Sequence, residues 1–148
     1  MACRFHCGGR LIAFGRGPSA ADAAHVVVEF VHPVIIGKRA LPALALPGGP
    51  AGFPAELELF GEPDDIAVAF APDGSGVADA LAVARDRGML TVALLGGDGG
   101  AAGAMPGLDH AIVVPSDDPR IVREAHVTAY HVLWELVHVF LDAPEVLV

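Results

Sequence analysis

The chain has 148 residues, 53% of them hydrophobic, with 9 Lys and Arg against 18 Asp and Glu and a formal net charge of −9 at pH 7. That length supports one domain with a real core, and an acidic balance without any cluster of Lys and Arg argues against direct binding of a nucleic-acid backbone. No apolar run reaches the ~18 residues of a membrane span, and the start lacks the apolar stretch of a signal peptide.

The expectation is therefore a cytoplasmic protein without a membrane partner. Cys3 and Cys7, around His6, are too few for a disulfide framework and are expected to stay reduced.

The first apolar run, residues 10–14, leads into Gly15-Arg16-Gly17-Pro18-Ser19 and then a helical pattern over 19–32. Strand, glycine turn and helix N-terminus in that order build an anion site. Glycine lets the backbone approach a ligand, and the free N–H groups and positive end of the helix attract phosphate. Ser19 is expected as the N-cap, with Asp22 completing a variant of the capping box; the Ser19 hydroxyl could equally serve a phosphate. His25 and Glu29, four residues apart, share one helix face and offer an acid/base or metal-binding pair.

Further apolar runs at 41–46, 66–71, 90–95 and 111–114 alternate with a loop over 47–54, a short helical turn at 55–60, a helix over 76–87, a loop over 96–107 and a long final helix over 118–141. Runs that are apolar throughout imply strands buried on both faces. The alternation predicts an α/β fold, a three-layer α/β/α sandwich around a five-stranded parallel sheet. In the order 2-1-3-4-5, the crevice opens between strands one and three, where the loops 15–19 and 71–76 meet.

On the final helix Glu124, His131, Glu135 and His138 fall roughly on one polar face, which the bland reading leaves to solvent or an interface. Ile121, Ala125, Val132, Leu136, Val139 and Phe140 are expected to pack in the core. Tyr130, Trp134, Val137 and Leu141 occupy further faces and predict a second subunit.

Three segments together resemble the sugar isomerase (SIS) domain, in its phosphoheptose isomerase branch. They are Phe14-Gly15-Arg16-Gly17-Pro18-Ser19-Ala20-Ala21-Asp22-Ala23-Ala24-His25, Ala84-Arg85-Asp86-Arg87-Gly88-Met89 with the strand that follows, and Val114-Pro115-Ser116-Asp117-Asp118 with Glu124-Ala125-His126. The resemblance runs over nearly the whole chain and implies the fold just described. It implies interconversion of aldose and ketose phosphates through an enediol, with Glu29 and His131 as the acid/base pair. A zinc ion held by His25, Glu29 and His131 is a further implication. Gly15, Gly17, Ser19, Ser75, Ser116 and Arg123 are the corresponding candidates for binding the phosphate or sugar, and the resemblance also implies a homodimer or homotetramer.

Departures from the family pattern sharpen these expectations. The loop after the third strand, Ala71-Pro72-Asp73-Gly74-Ser75-Gly76, keeps one hydroxyl and places Asp73 where a phosphate dianion should sit. Arg123 stands at a position that holds Gln in the family, where it is free to pair with phosphate or with Glu29. Residues 1–7 hold at most the last turns of the helix that precedes strand one in the family. The alternative function is a non-catalytic SIS module that senses a ligand or binds a protein.

Overall fold

The computed structural model describes residues 1–147. Five strands, β1 (Leu11–Gly15), β2 (Ala43–Ala45), β3 (Ile66–Ala71), β4 (Leu90–Gly96) and β5 (His110–Val114), form one sheet in the order β2-β1-β3-β4-β5, with every pairing parallel. The helices are α1 (Ala2–His6), α2 (Ser19–Val31), α3 (Gly52–Phe60), α4 (Ala78–Asp86), α5 (Gly100–Gly103) and α6 (Pro119–Leu141), and a 3-10 turn follows at Pro144–Val146.

Alternation along the strands sends successive side chains to opposite faces. Ile12 and Phe14 join Phe53, Leu57, Leu81 and Ala102 beneath α3, α4 and α5. Leu11 and Ala13 join Phe5, Val26, Phe30, Tyr130 and Trp134 beneath α1, α2 and α6. The expected three-layer α/β/α sandwich is thus formed, with β1 and β3 buried at every position.

Four local expectations are corrected. The edge strand β5 is not buried on both faces: α5 is only four residues long, and Val113 stays 39% exposed. The helix expected at 55–60 starts earlier, at Gly52, whose φ of 77° takes the chain into it. The glycine-rich stretch 96–107 is not wholly loop, since it contains α5. Most consequential is α6, which turns a different face to the sheet.

Its buried positions are Val122, His126, Tyr130, Trp134, Val137 and His138, whereas Ile121, Val132, Leu136, Val139 and Phe140 are 45–53% exposed. The inward face was hidden by its polar atoms, which fold back onto protein groups: the Trp134 indole N–H donates to the Glu29 carbonyl at 2.7 Å, and both His138 ring nitrogens lie within 3.0 Å of backbone carbonyls. A neutral imidazole has one N–H, which one of these carbonyls accepts, and a polar ring can be buried when its N–H is bonded.

His126 is the costly member of this face. It is fully buried, its Nε2 donates to the Leu95 carbonyl at 3.0 Å, and its Nδ1 has no partner among the described residues. Burial holds its pKa below the ordinary imidazole value. The unfolded chain therefore takes up the proton first as pH falls. Stability from this group is complete above about pH 6.5 and is lost as pH drops through that value toward the folded-state pKa. Thermal unfolding between about pH 7.5 and 5.5 should show a shallower loss of Tm in His126→Gln, which retains a donor for Leu95 but cannot titrate. Equal slopes in both proteins would exclude this contribution.

Candidate active site

The carboxyl ends of the strands open onto a cavity of about 720 Å³. It lies at the switch point between β1 and β3, where open α/β sheets bind ligands. Arg16 and Ser19 enter it from the turn after β1, Asp73 and Ser75 from the loop after β3, Asp98 from the end of β4, Ser116 and Asp117 from the end of β5, and Arg123 from the first turns of α6. The Asp118 side chain accepts the Arg120 amide at 2.9 Å and caps α6, with Pro119 opening the helix, and so fixes where Arg123 emerges.

The front of α2 differs from expectation. Ser19 is already helical and makes no capping bond; Pro18 occupies the N-cap position. The amides of Ser19, Ala20 and Ala21 are bonded to the carbonyls of Arg16, Gly17 and Pro18. Three donors expected for an anion are thereby spent on the turn, and side chains must do more of the binding. Gly15 and Gly17 do not line the cavity. Gly15 is needed for packing, because a Cβ there would lie 2.7 Å from the Ser19 Cβ and 2.8 Å from the Phe70 carbonyl oxygen.

Asp22 is no capping-box partner. It is buried and accepts two hydrogen bonds at 3.0 Å from Arg123, Nε to Oδ2 and Nη2 to Oδ1. Arg123 thus pairs with Asp22 rather than with Glu29; Asp22 fixes its fork, while its Nη1 has no partner among the described residues. Asp73 accepts the Ser75 amide at 3.0 Å, a bond that holds its carboxyl below the usual range and keeps it charged at the cavity wall. Arg16, whose guanidinium carbon sits 5.2 Å from the centre of the Phe53 ring and whose Nε donates to the Gly76 carbonyl at 3.4 Å, brings a cation to the same cavity. Its place in a glycine turn hinted at this.

One helical turn beyond Asp22, the side chains of His25, Glu29 and His131 meet. One ligand atom from each lies within 4.8 Å of the others. His25 Nε2 is 3.2 Å and His131 Nε2 3.7 Å from the same Glu29 oxygen, Oε1. His131 Nδ1 lies 2.7 Å from the Val127 carbonyl. A carbonyl can only accept, so the neutral ring carries its proton on Nδ1 and turns the Nε2 lone pair toward Glu29. A lone pair facing a carboxylate is repulsive until a proton or cation lies between them.

Two imidazole nitrogens and a carboxylate oxygen form a donor set used by catalytic zinc sites that keep an open position. Among the described residues this is the cluster of His, Cys, Asp and Glu arranged to hold a metal. Cys3 and Cys7 remain exposed free thiols.

Sequence reasoning missed Tyr130 and Trp134 as parts of this site. Tyr130 places its hydroxyl 2.6 Å from His25 Nδ1, and the Trp134 bond to the Glu29 carbonyl ties the backbone of α2 to α6. Both partners lie 105 residues away in the chain, and no local pattern announces them.

The fold is that of known enzymes. A phosphoheptose isomerase of Geobacter metallireducens is 39% identical over 145 residues, covering 88% of this chain and 76% of the relative. The chain belongs to the phosphoheptose isomerase family. Within that family, the phosphoheptose isomerase structure from Francisella tularensis superposes with a TM-score of 0.85 at 27% identity, over 93% of this chain and 81% of that one. The Vibrio vulnificus NanR protein complexed with ManNAc-6P shares the fold alone, at 14% identity and a TM-score of 0.63, covering 97% of this chain and 56% of that one. No family model matches the chain. These relatives do not favour the reading of a non-catalytic module. No helix among the described residues is long and apolar enough to cross a membrane.

Proposed function

We propose that the protein is a cytoplasmic isomerase that interconverts the aldose and ketose forms of a sugar phosphate of heptose size. The observation that carries this reading is the meeting of Glu29 and His131 at 3.7 Å on the same two helices, α2 and α6, that bring Ser19 and Arg123 to the cavity of the switch point. Aldose–ketose conversion moves one proton between adjacent carbons and another between their oxygens, so it needs two acid/base groups aimed at one place. Glu29 is suited to carry the carbon-bound proton. His131, with Nδ1–H on Val127, is suited to take the hydroxyl proton on Nε2 and return it to the neighbouring oxygen.

The phosphate is assigned to the cavity, where Arg16, Ser19, Ser75, Ser116 and Arg123 offer cations and hydroxyls. From Ser19 to His25 is about 9 Å along the helix axis. An extended hexose or heptose phosphate reaches across that distance and a triose phosphate does not. His25, Glu29 and His131 would hold a zinc ion, which when bound would polarise the substrate carbonyl in place of the proton shuttle on His131, since its Nε2 cannot ligate a cation and carry the hydroxyl proton at once. Incubating the purified protein with sedoheptulose 7-phosphate, with and without added zinc, tests the reading: appearance of the aldose phosphate is expected, and no conversion under either condition would overturn it.

A homo-oligomer belongs to the same proposal. The outward stripe of α6, Ile121, Val132, Leu136, Val139 and Phe140, together with Val28 and Val31 of α2, leaves apolar surface flanking the cluster. An apolar second face calls for cover, and a copy of the same chain supplies it with closed symmetry. Sedimentation should show a dimer or tetramer, and Val132→Glu with Leu136→Glu should reduce it to monomer. A wild-type monomer at micromolar concentration would refute the assignment.

A further inference from the structure

Tyr130 is 1% exposed; its ring packs edge-on against His25, with centroids 5.4 Å apart, and lies tilted at 39° against His131 at 4.8 Å. A buried phenol needs a partner for its hydroxyl, and here the partner is His25 Nδ1 at 2.6 Å. Burial pushes the hydroxyl pKa up to about 12, so it remains a neutral O–H able to donate or accept.

The two histidines of the cluster differ in this respect. His131 Nδ1 faces a carbonyl, so its neutral tautomer is fixed. His25 Nδ1 faces a hydroxyl, which serves either tautomer. With Tyr130 donating, Nδ1 is bare and Nε2–H points to Glu29 Oε1 at 3.2 Å. With the hydroxyl rotated to accept, Nδ1 carries the proton and Nε2 offers a lone pair to the cluster. The ring is neutral in both states, and the exchange needs no net gain or loss of a proton.

We propose that Tyr130 is a positioning residue that holds His25 toward Glu29 and sets its tautomer, with the proton on Nε2 in the cation-free cluster and on Nδ1 once a divalent cation takes Nε2. The second half rests on the metal-site reading above; the first does not. A cation on Nε2 draws electron density from the ring and strengthens Nδ1–H as a donor, so the bond to Tyr130 is stronger in the loaded site than in the empty one. That difference lets Tyr130 contribute to cation affinity as well as to folding.

The test uses imidazole ¹⁵N–¹H correlation spectra of the full chain at pH 8 before and after addition of Zn²⁺, in wild type and Tyr130→Phe. Calorimetric Zn²⁺ titration and thermal unfolding accompany them. Wild-type His25 should carry its proton on Nε2 without zinc and on Nδ1 with it. Tyr130→Phe keeps the packed ring; it should show mixed His25 tautomers without zinc and bind Zn²⁺ roughly ten- to a hundred-fold more weakly.

A variant with wild-type tautomer and wild-type zinc affinity overturns the proposal, as does a loaded wild type that keeps the proton on Nε2. If wild type takes up no zinc, the metal-site reading and the second half of the proposal fall together; the zinc-free tautomers of wild type and variant then decide the first half. If the variant does not fold, the wild-type spectra alone decide, since a zinc-free His25 protonated on Nδ1 is incompatible with it.

Discussion

Replacing Glu29 by Gln should lower turnover of sedoheptulose 7-phosphate by about 10²–10⁴-fold, the usual contribution of a positioned acid/base group. Gln has nearly the same shape, and its carbonyl oxygen can still face His25 Nε2 at the 3.2 Å position of Oε1. The loss would thus report the missing base rather than a collapsed site. KM should change much less, because Glu29 does not line the cavity assigned to the phosphate, and a group acting only in the chemical step alters kcat without altering ground-state binding. His25→Asn separates the two uses of the cluster. In the proposed scheme His25 holds zinc and carries no substrate proton, so added zinc should recover part of its lost activity, while Glu29→Gln stays inactive at any zinc concentration. Turnover of Glu29→Gln within about threefold of wild type would remove the carboxylate from the chemistry.

The sequence makes β1, β3 and β4 legible because their residues are apolar at consecutive positions, which only a doubly covered strand explains. Their parallel order follows from the helices between them. His25 and Glu29 are readable as a pair for an equally local reason, a spacing of four on one helix. The inward face of α6 is not legible in this way. A pattern of apolar letters selects Val132 and Leu136, which are exposed, over His126 and His138, which are buried, because the carbonyls of Leu95 and Arg39 that meet the Nε2 atoms of those rings belong to other parts of the chain. Asp22 misleads for a related reason. Three residues after Ser19 it has the position of a capping acid, yet its charge answers a guanidinium 101 residues away.

That distant pair sets the second large effect. Arg123→Met should destabilise the fold by about 2 kcal/mol, below the ~3–5 kcal/mol of a fully buried pair, because the Arg123 side chain is 39% exposed while that of Asp22 is only 5% exposed. Met preserves much of the aliphatic stem but leaves a buried carboxylate without its cation. Asp22→Asn should cost less, since the freed guanidinium can turn toward water in the cavity. Combining Asp22→Asn with Arg123→Met should recover part of the loss of the single Arg123 variant, because the orphaned charge is then gone. The difference from additivity, read from chemical denaturation of all four proteins, measures the coupling. Strict additivity would mean that the two 3.0 Å hydrogen bonds are incidental to stability. Function adds an independent readout. Asp22→Asn leaves the cation beside the cavity but removes what orients it, so sugar-phosphate KM should rise while the fold is largely retained; an unchanged KM would show that the fork need not be held in place to serve the ligand.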